Sequence, residues 1–324
     1  MDIYVKKAII HQFSPDDTDL YLADKLLNIT PKIEEYLRKK IERVYSDEAR
    51  TGIFEEDNPF LEMISDDLLE TSVAVANRWK EEFVVSENQK TNDLVFIQFS
   101  KEGVDHFAFL RIALRETLTH LGGEVDNPIK LTQNNLPGFG TGADEALVIN
   151  LQSRKYHLIE KRIKYNGTFL NYFSENLLQA KPLISPKKSI KALEKTAQKI
   201  AESFNTDDFQ FQSKVKSAIF NHIEEENKLS PEKLADDLFN DNLTARLSFI
   251  DQVKEAVPEP VTFEEIDASR QLKKFENQKL SLSNGIELIV PNNVYEDAES
   301  VEFILNENGT YSILIKNIED IQSK

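Results

Sequence analysis

The sequence predicts an α+β fold: an antiparallel sheet with packed helices in the N-terminal half, a helical middle region, and β-hairpins at the C-terminus. Three observations carry this. Apolar strand segments follow one another across short polar turns with no helix between them, which demands antiparallel pairing. The stretch from Thr168 to Val257 turns to helical periodicity. Finally, Asn284-Gly285 and Asn308-Gly309 separate apolar runs, and Asn-Gly is the strongest short hairpin signal because both positions tolerate positive φ.

Taken in chain order, Tyr4 to Phe13 reads as a strand ending in the turn Ser14-Pro15-Asp16-Asp17. Thr30 and Pro31 supply an N-cap and a first helical residue, and Ile33, Leu37, Ile41 and Val44 recur on one helical face. A second helix is expected over roughly Pro59 to Glu82, carrying Leu61, Ile64, Leu68, Val75 and Trp79. Leu94-Val95-Phe96-Ile97 and Phe107-Ala108-Phe109-Leu110 form a hairpin about Lys101-Glu102-Gly103. Ala146–Leu151 and Tyr156–Ile163 form another about Ser153-Arg154-Lys155. The helices are expected on one face of this sheet. Ser185-Pro186, Ser213 and Ser230-Pro231 mark helix starts, and Pro258-Glu259-Pro260 ends the helical run.

At 324 residues the chain exceeds what one core usually supports, so two domains are expected, 1–180 and 181–324. Hydrophobic residues make up 40%, with 20 Phe, enough to exclude a largely disordered chain. Cysteine is absent, which removes disulfides, thiolate metal sites and a cysteine nucleophile from consideration. The N-terminus lacks the order of a signal peptide, and no apolar run approaches the roughly 18 residues of a membrane span, so a cytoplasmic protein without membrane contact is expected.

No catalytic constellation emerges. The five histidines are scattered, and none has the spacing that puts two imidazoles on one helical face. Pro137-Gly138-Phe139-Gly140-Thr141-Gly142 lacks the strand, Gly-Lys-Ser/Thr end and helix of a phosphate cradle, and reads as a connection between hairpins. Glu226-Asn227-Lys228 has the spacing of a nuclease Glu-x-Lys pair but sits at a helix end. No acyl-transfer elbow is present. The expectation is a protein that is not an enzyme and needs no cofactor or metal.

Charge is more informative. The net charge is −17, so any nucleic-acid contact must be local. Residues 151–200 hold eleven Lys and Arg against three Glu, a local balance of +8 that leaves −25 on the rest. In the helix starting near Pro186, Ile190, Leu193, Ala197, Ile200 and Phe204 form an apolar stripe. Lys188, Lys191, Lys195 and Lys199 follow the same rhythm on the opposite face. With Lys187 and the strand-end group Lys161, Arg162 and Lys164, these are the candidate DNA-contact residues. Lysine suits phosphate contact without base reading. Ser230 to Phe239 has the order of a winged-helix reader, but its Asp236-Asp237 pair suits phosphate poorly.

The Ala8-Ile9-Ile10-His11-Gln12 strand, Arg43-Val44-Tyr45-Ser46 followed by Gly52-Ile53-Phe54, and the Phe96 to Leu114 hairpin resemble the bacterial nucleoid-associated protein family over most of the chain. That resemblance implies a cytoplasmic protein recovered with the nucleoid and capable of binding DNA, with chromosome-associated proteins as further partners. It carries over no catalytic residues. The alternative drawn from the −25 outside the basic segment is an acidic protein-interaction module or DNA mimic acting on a chromosome-bound or DNA-processing protein.

Overall fold

A computed structural model describes residues 2–16, 19–83, 90–120, 129–165, 167–206, 208–263 and 265–322. The chain divides into two compact units, Met1–Ser185 and Pro186–Lys324.

The first unit contains β1 (Ile3–Ser14), β2 (Asp19–Tyr21), α1 (Pro31–Glu42), β3 (Arg50–Ile53), α2 (Pro59–Glu62), α3 (Leu68–Phe83), β4 (Asn92–Lys101) and β5 (Val104–Ala113). It continues with β6 (Arg115–His120), β7 (Ile129–Asn135), β8 (Glu145–Asn150), β9 (Lys155–Ile159), β10 (Ile163–Tyr165), β11 (Thr168–Leu170) and a π-helix, Phe173–Leu177. Seven strands make one antiparallel sheet in the order β2-β1-β4-β5-β8-β9-β3.

Helices cover both faces of this sheet, not one. On one side Leu37 and Ile41 of α1 join Val5, Ala8, Val95, Ile97, Ala108, Leu110 and Val148 in a core. On the other, Val75, Trp79 and Phe83 of α3 and Phe173 of the π-helix pack with Ile9, Phe13, Phe96, Phe107, Phe109 and Leu147. The unbroken apolar runs of β4 and β5 follow from this, since a strand buried on both faces does not alternate. Trp79 stacks on Phe83 at 4.4 Å and meets Phe13 edge-on at 5.5 Å.

The predicted helix over Pro59 to Glu82 is two. Asn58 caps α2, and the break before α3 is held by Ser65 and Asp67, whose side chains accept from Asp67 N–H and Leu69 N–H. Such local acceptors compete with continuous helix. The β6–β7 ribbon is not signalled by apolar alternation, because its paired positions Thr117, Thr119 and Thr132 bond one another through exposed hydroxyls.

The resemblance segment at Gly52 has a steric basis. A Cβ there would stand 2.3 Å from the Tyr156 hydroxyl, and Phe54 packs against that same ring at 4.4 Å. Buried Arg111 donates to Glu145 at 2.6 Å and to Asn92 at 2.8 Å. Tyr172 donates to the same Glu145 oxygen and accepts from Trp79 Nε1 at 3.1 Å. Burial holds the Glu145 carboxyl above its ordinary range, and burial beside Glu145 keeps the Tyr172 hydroxyl protonated as a donor.

The second unit contains α4 (Pro186–Ser203), α5 (Phe209–Glu226), β12 (Lys228–Leu229), α6 (Pro231–Leu238), α7 (Leu243–Lys254), β13 (Val261–Thr262) and α8 (Ser269–Phe275). It ends with β14 (Asn277–Ser281), β15 (Glu287–Pro291), α9 (Asn292–Tyr295), β16 (Val301–Leu305) and β17 (Tyr311–Ile315). α5 begins at the Asp208 cap, whose side chain accepts from Phe211 N–H, so Ser213 lies inside the helix and is buried. Phe211, Phe239 and Phe249 pack with tilted rings within this unit. Gln278 of β14 donates to Ser213 O, Ser217 Oγ and Asn292 Oδ1, tying that ribbon to α5. Among the described residues, no helix is long and apolar enough to cross a membrane.

Candidate nucleic-acid interface

α4 shows why its sequence separates charge so cleanly. Ser189, Ile190, Leu193, Ala197, Ile200 and Ala201 are buried against the neighbouring helices α5 and α7, and the outer face is left to water. Lys187, Lys188, Lys191, Lys195 and Lys199 are all exposed. Phe204 falls just past the helix end and is half-buried.

Of the acidic residues along the row, Glu194 is paired with another cation, whereas Glu202 meets a neutral amide and keeps its charge. Glu194 takes Lys274 of α8 at 3.2 Å, and Glu202 accepts from Gln198 at 3.2 Å. Lys199 itself reaches Gln252 of α7 at 3.0 Å. Among the described residues, no carboxylate lies within ion-pair distance of Lys188, Lys191 or Lys195. Three uncommitted ammonium groups therefore follow one another along one helix face.

The group Lys161, Arg162 and Lys164 belongs to the first unit, around the entry to β10, and all three are exposed. Lys161 donates to Asp144 Oδ1 at 2.6 Å, while Ala113 N–H donates to Asp144 Oδ2 at 2.9 Å. Despite burial, these bonds hold the Asp144 carboxyl below its ordinary range. Much of the charge of Lys161 is thus neutralised inside the unit. Arg162 Nη2 faces Phe169 O at 3.5 Å.

The acidic pair in the helix beginning at Ser230 is also internal. Asp236 pairs with Arg246 at 2.9 Å and Asp237 with His222 at 2.7 Å, and Ser230 caps α6. Glu226 is held by Lys233 at 2.6 Å, away from the Glu-x-Lys geometry that a nuclease needs. Among the described residues, no group of three or more His, Asp or Glu converges as a metal site.

His11 is a structural histidine. Its Nδ1 accepts from Ala23 N–H at 3.1 Å, which leaves Nε2 to donate to Ser72 at 3.0 Å, and burial lowers its pKa. A groove of about 810 Å³ in the first unit is lined by Lys6, Lys7, Asp66, Asp105, His106 and Arg154. Lys6 is paired with Asp105, and His106 Nδ1 faces Val104 O at 2.9 Å.

The Gly138–Gly142 loop connects the β6–β7 ribbon to the β8–β9 hairpin, as its sequence suggests. Its carbonyls, not its N–H groups, turn inward: Lys40 Nζ donates to Pro137 O at 3.3 Å, Gly138 O at 2.9 Å and Thr141 O at 2.5 Å. Tyr36 donates to Pro137 O at 3.0 Å and meets Phe139 edge-on at 5.4 Å. Lys40 is fully buried, and burial, with Arg43 and Arg115 nearby, lowers its pKa to about 8. Sequence reasoning missed Lys40, Arg43 and Arg115, because they come from α1, its end and β6, and meet only in three dimensions.

Fold and surface together define an α+β protein of two compact units in which an amphipathic helix turns a row of exposed lysines outward. A family model described as nucleoid-associated protein YejK matches residues 9–321, nearly the whole chain, and the chain belongs to that family. No curated protein matches the sequence.

Proposed function

We propose that this protein is a cytoplasmic, nucleoid-associated, sequence-tolerant DNA-binding protein that acts by binding and not by catalysis. The observation that carries this reading is the row Lys188, Lys191 and Lys195 on α4, extended by Lys187 and Lys199, exposed and without carboxylate partners for its central members. Lysine ammonium groups replace condensed counterions without reading base edges, so binding of this kind is steeply salt-dependent and tolerant of sequence. Lys161, Arg162 and Lys164 are proposed as weaker contributors, since Lys161 already serves Asp144. Family membership supports the nucleoid setting, with chromosome-associated proteins as further partners.

The test is a salt-dependent binding isotherm on mixed-sequence duplex DNA. Reversing Lys188, Lys191, Lys195 and Lys199 to Glu lowers affinity by about 100-fold or more at low salt and reduces the salt slope by roughly 3 to 4. Unchanged affinity removes α4 from the interface. The acidic interaction module remains the second reading, supported by the −25 carried outside residues 151–200. It gains ground if the wild type leaves DNA unshifted at low salt yet binds a purified DNA-processing enzyme in competition with DNA.

A further inference from the structure

The loop closed over Lys40 gathers positive charge that the first unit does not neutralise. Arg43, the residue that ends α1, is exposed and lies along the loop: a Cβ on Gly140 or on Gly142 would stand 3.9 Å from its side chain. Arg115 opens β6 opposite Asn135, two residues before the Pro137 carbonyl that Lys40 holds, and is exposed too. Among the described residues, neither guanidinium has a hydrogen-bond or ion-pair partner.

The nearby acids are committed elsewhere. Asp144 is bonded to Lys161 and to Ala113 N–H, and Glu42 is held by Arg38 and Lys39. Lys40 is repelled by both arginines, and only Asp144 acts in the opposite direction. Like charges left unpaired around a buried ammonium weaken the fold, and a bound anion relieves them.

We propose that Arg43 and Arg115, set beside the Gly138–Gly142 loop, form a second phosphodiester-contact site for nucleic acid, in the first unit. The proposal rests on the reading of this protein as DNA-binding. Arginine presents a planar fork of donors that fits phosphate oxygens, and the glycines set no side chain in the way of an approaching backbone. The loop is not a phosphate cradle of the usual kind, because the Pro137, Gly138 and Thr141 carbonyls already serve Lys40. Its part is to place the two guanidinium groups, and contact through phosphate alone adds affinity without sequence preference.

The experiment is fluorescence anisotropy of the full-length protein on a labelled mixed-sequence duplex, across a salt series, with a thermal melt of each variant. R43A/R115A lowers affinity roughly 10-fold or more and reduces the salt slope by about 2. Its melting temperature is unchanged or higher, because repulsion on Lys40 is relieved. R43K/R115K, which keeps both charges, recovers the slope.

An R43A/R115A protein with wild-type affinity and slope, alongside a weakened K188E/K191E/K195E/K199E protein, overturns this site and leaves the broader reading intact. A wild type that does not bind the duplex at low salt overturns both. Lost affinity in R43A/R115A with a lowered melting temperature, not recovered by R43K/R115K, assigns the arginines to folding and also overturns the proposal.

Discussion

The two units solve the burial problem differently. The first closes a seven-stranded sheet between two helical layers, so that β4 and β5 are buried along nearly their whole length and Phe96 and Phe109 stack at 4.8 Å across adjacent strands. The second buries a small helical cluster and then hangs paired ribbons on it, leaving Ile289, Leu305, Tyr311 and Ile315 about half exposed or more. A single two-stranded ribbon is marginal alone, so each is tied down by particular anchors. Gln278 anchors one, and Phe303, packed on Phe209 and Tyr295, anchors the other. The lesson is that a substitution in the first unit propagates through a shared sheet, whereas one in the terminal ribbons is felt near its anchor.

The sharpest way to break that contrast is Trp79→Ala. It removes the largest fully buried side chain and should cost about 3–5 kcal/mol, read as a lowered calorimetric transition. A variant with undiminished stability would show that the stack on Phe83 and Phe13 does not hold the first unit. Next comes Glu145→Gln, which strips the counter-charge from buried Arg111 and should destabilise by about 3 kcal/mol in urea denaturation. A cost below about 1 kcal/mol would mean that Asn92 and an uncharged amide at position 145 suffice to satisfy the guanidinium.

Lys40 offers a pH-dependent test within the same unit. Its pKa falls from an ordinary 10.5 to about 8 on folding, so between those pH values the unfolded chain binds a proton that the native state has released. Stability contributed by this group therefore rises as pH climbs from about 8 toward 10.5, with a slope of at most about 1.4 kcal/mol for each pH step of one. Wild type measured against Lys40→Met across that window isolates the effect, and parallel curves would contradict it. The smallest effect is expected in the second unit. Gly309 sits at φ +79° in the β16–β17 turn, and Gly309→Ala should cost about 1 kcal/mol without disturbing the first unit. A loss comparable to that of Trp79→Ala would remove the distinction between shared sheet and anchored ribbon.

Part of this was legible in the chain. The Thr30-Pro31 start, the Lys101-Glu102-Gly103 turn and the Asn308-Gly309 hairpin each rest on local rules of capping and positive φ, and they stand where those rules put them. The opposed apolar and lysine stripes of α4 are likewise a matter of helical period. Less legible was the covering of both sheet faces, since a continuous apolar run does not say which elements will lie on it. The β6–β7 ribbon escaped notice because its polar pairs carry no hydrophobic alternation.

What the sequence determined by itself was therefore short-range: element type, turn position, the absence of cysteine chemistry and the sidedness of a single helix. Which charges are free was decided only by tertiary structure. Lys161 looks as available as Lys191 along the chain, yet Asp144 claims it, while Glu194 is diverted from the lysine row by Lys274. The gathering of Lys40, Arg43 and Arg115 around one loop is likewise invisible to spacing. The reason is physical: a hydrogen bond or ion pair acts over a few ångströms of space, and residues far apart in sequence reach that distance only once the fold has closed.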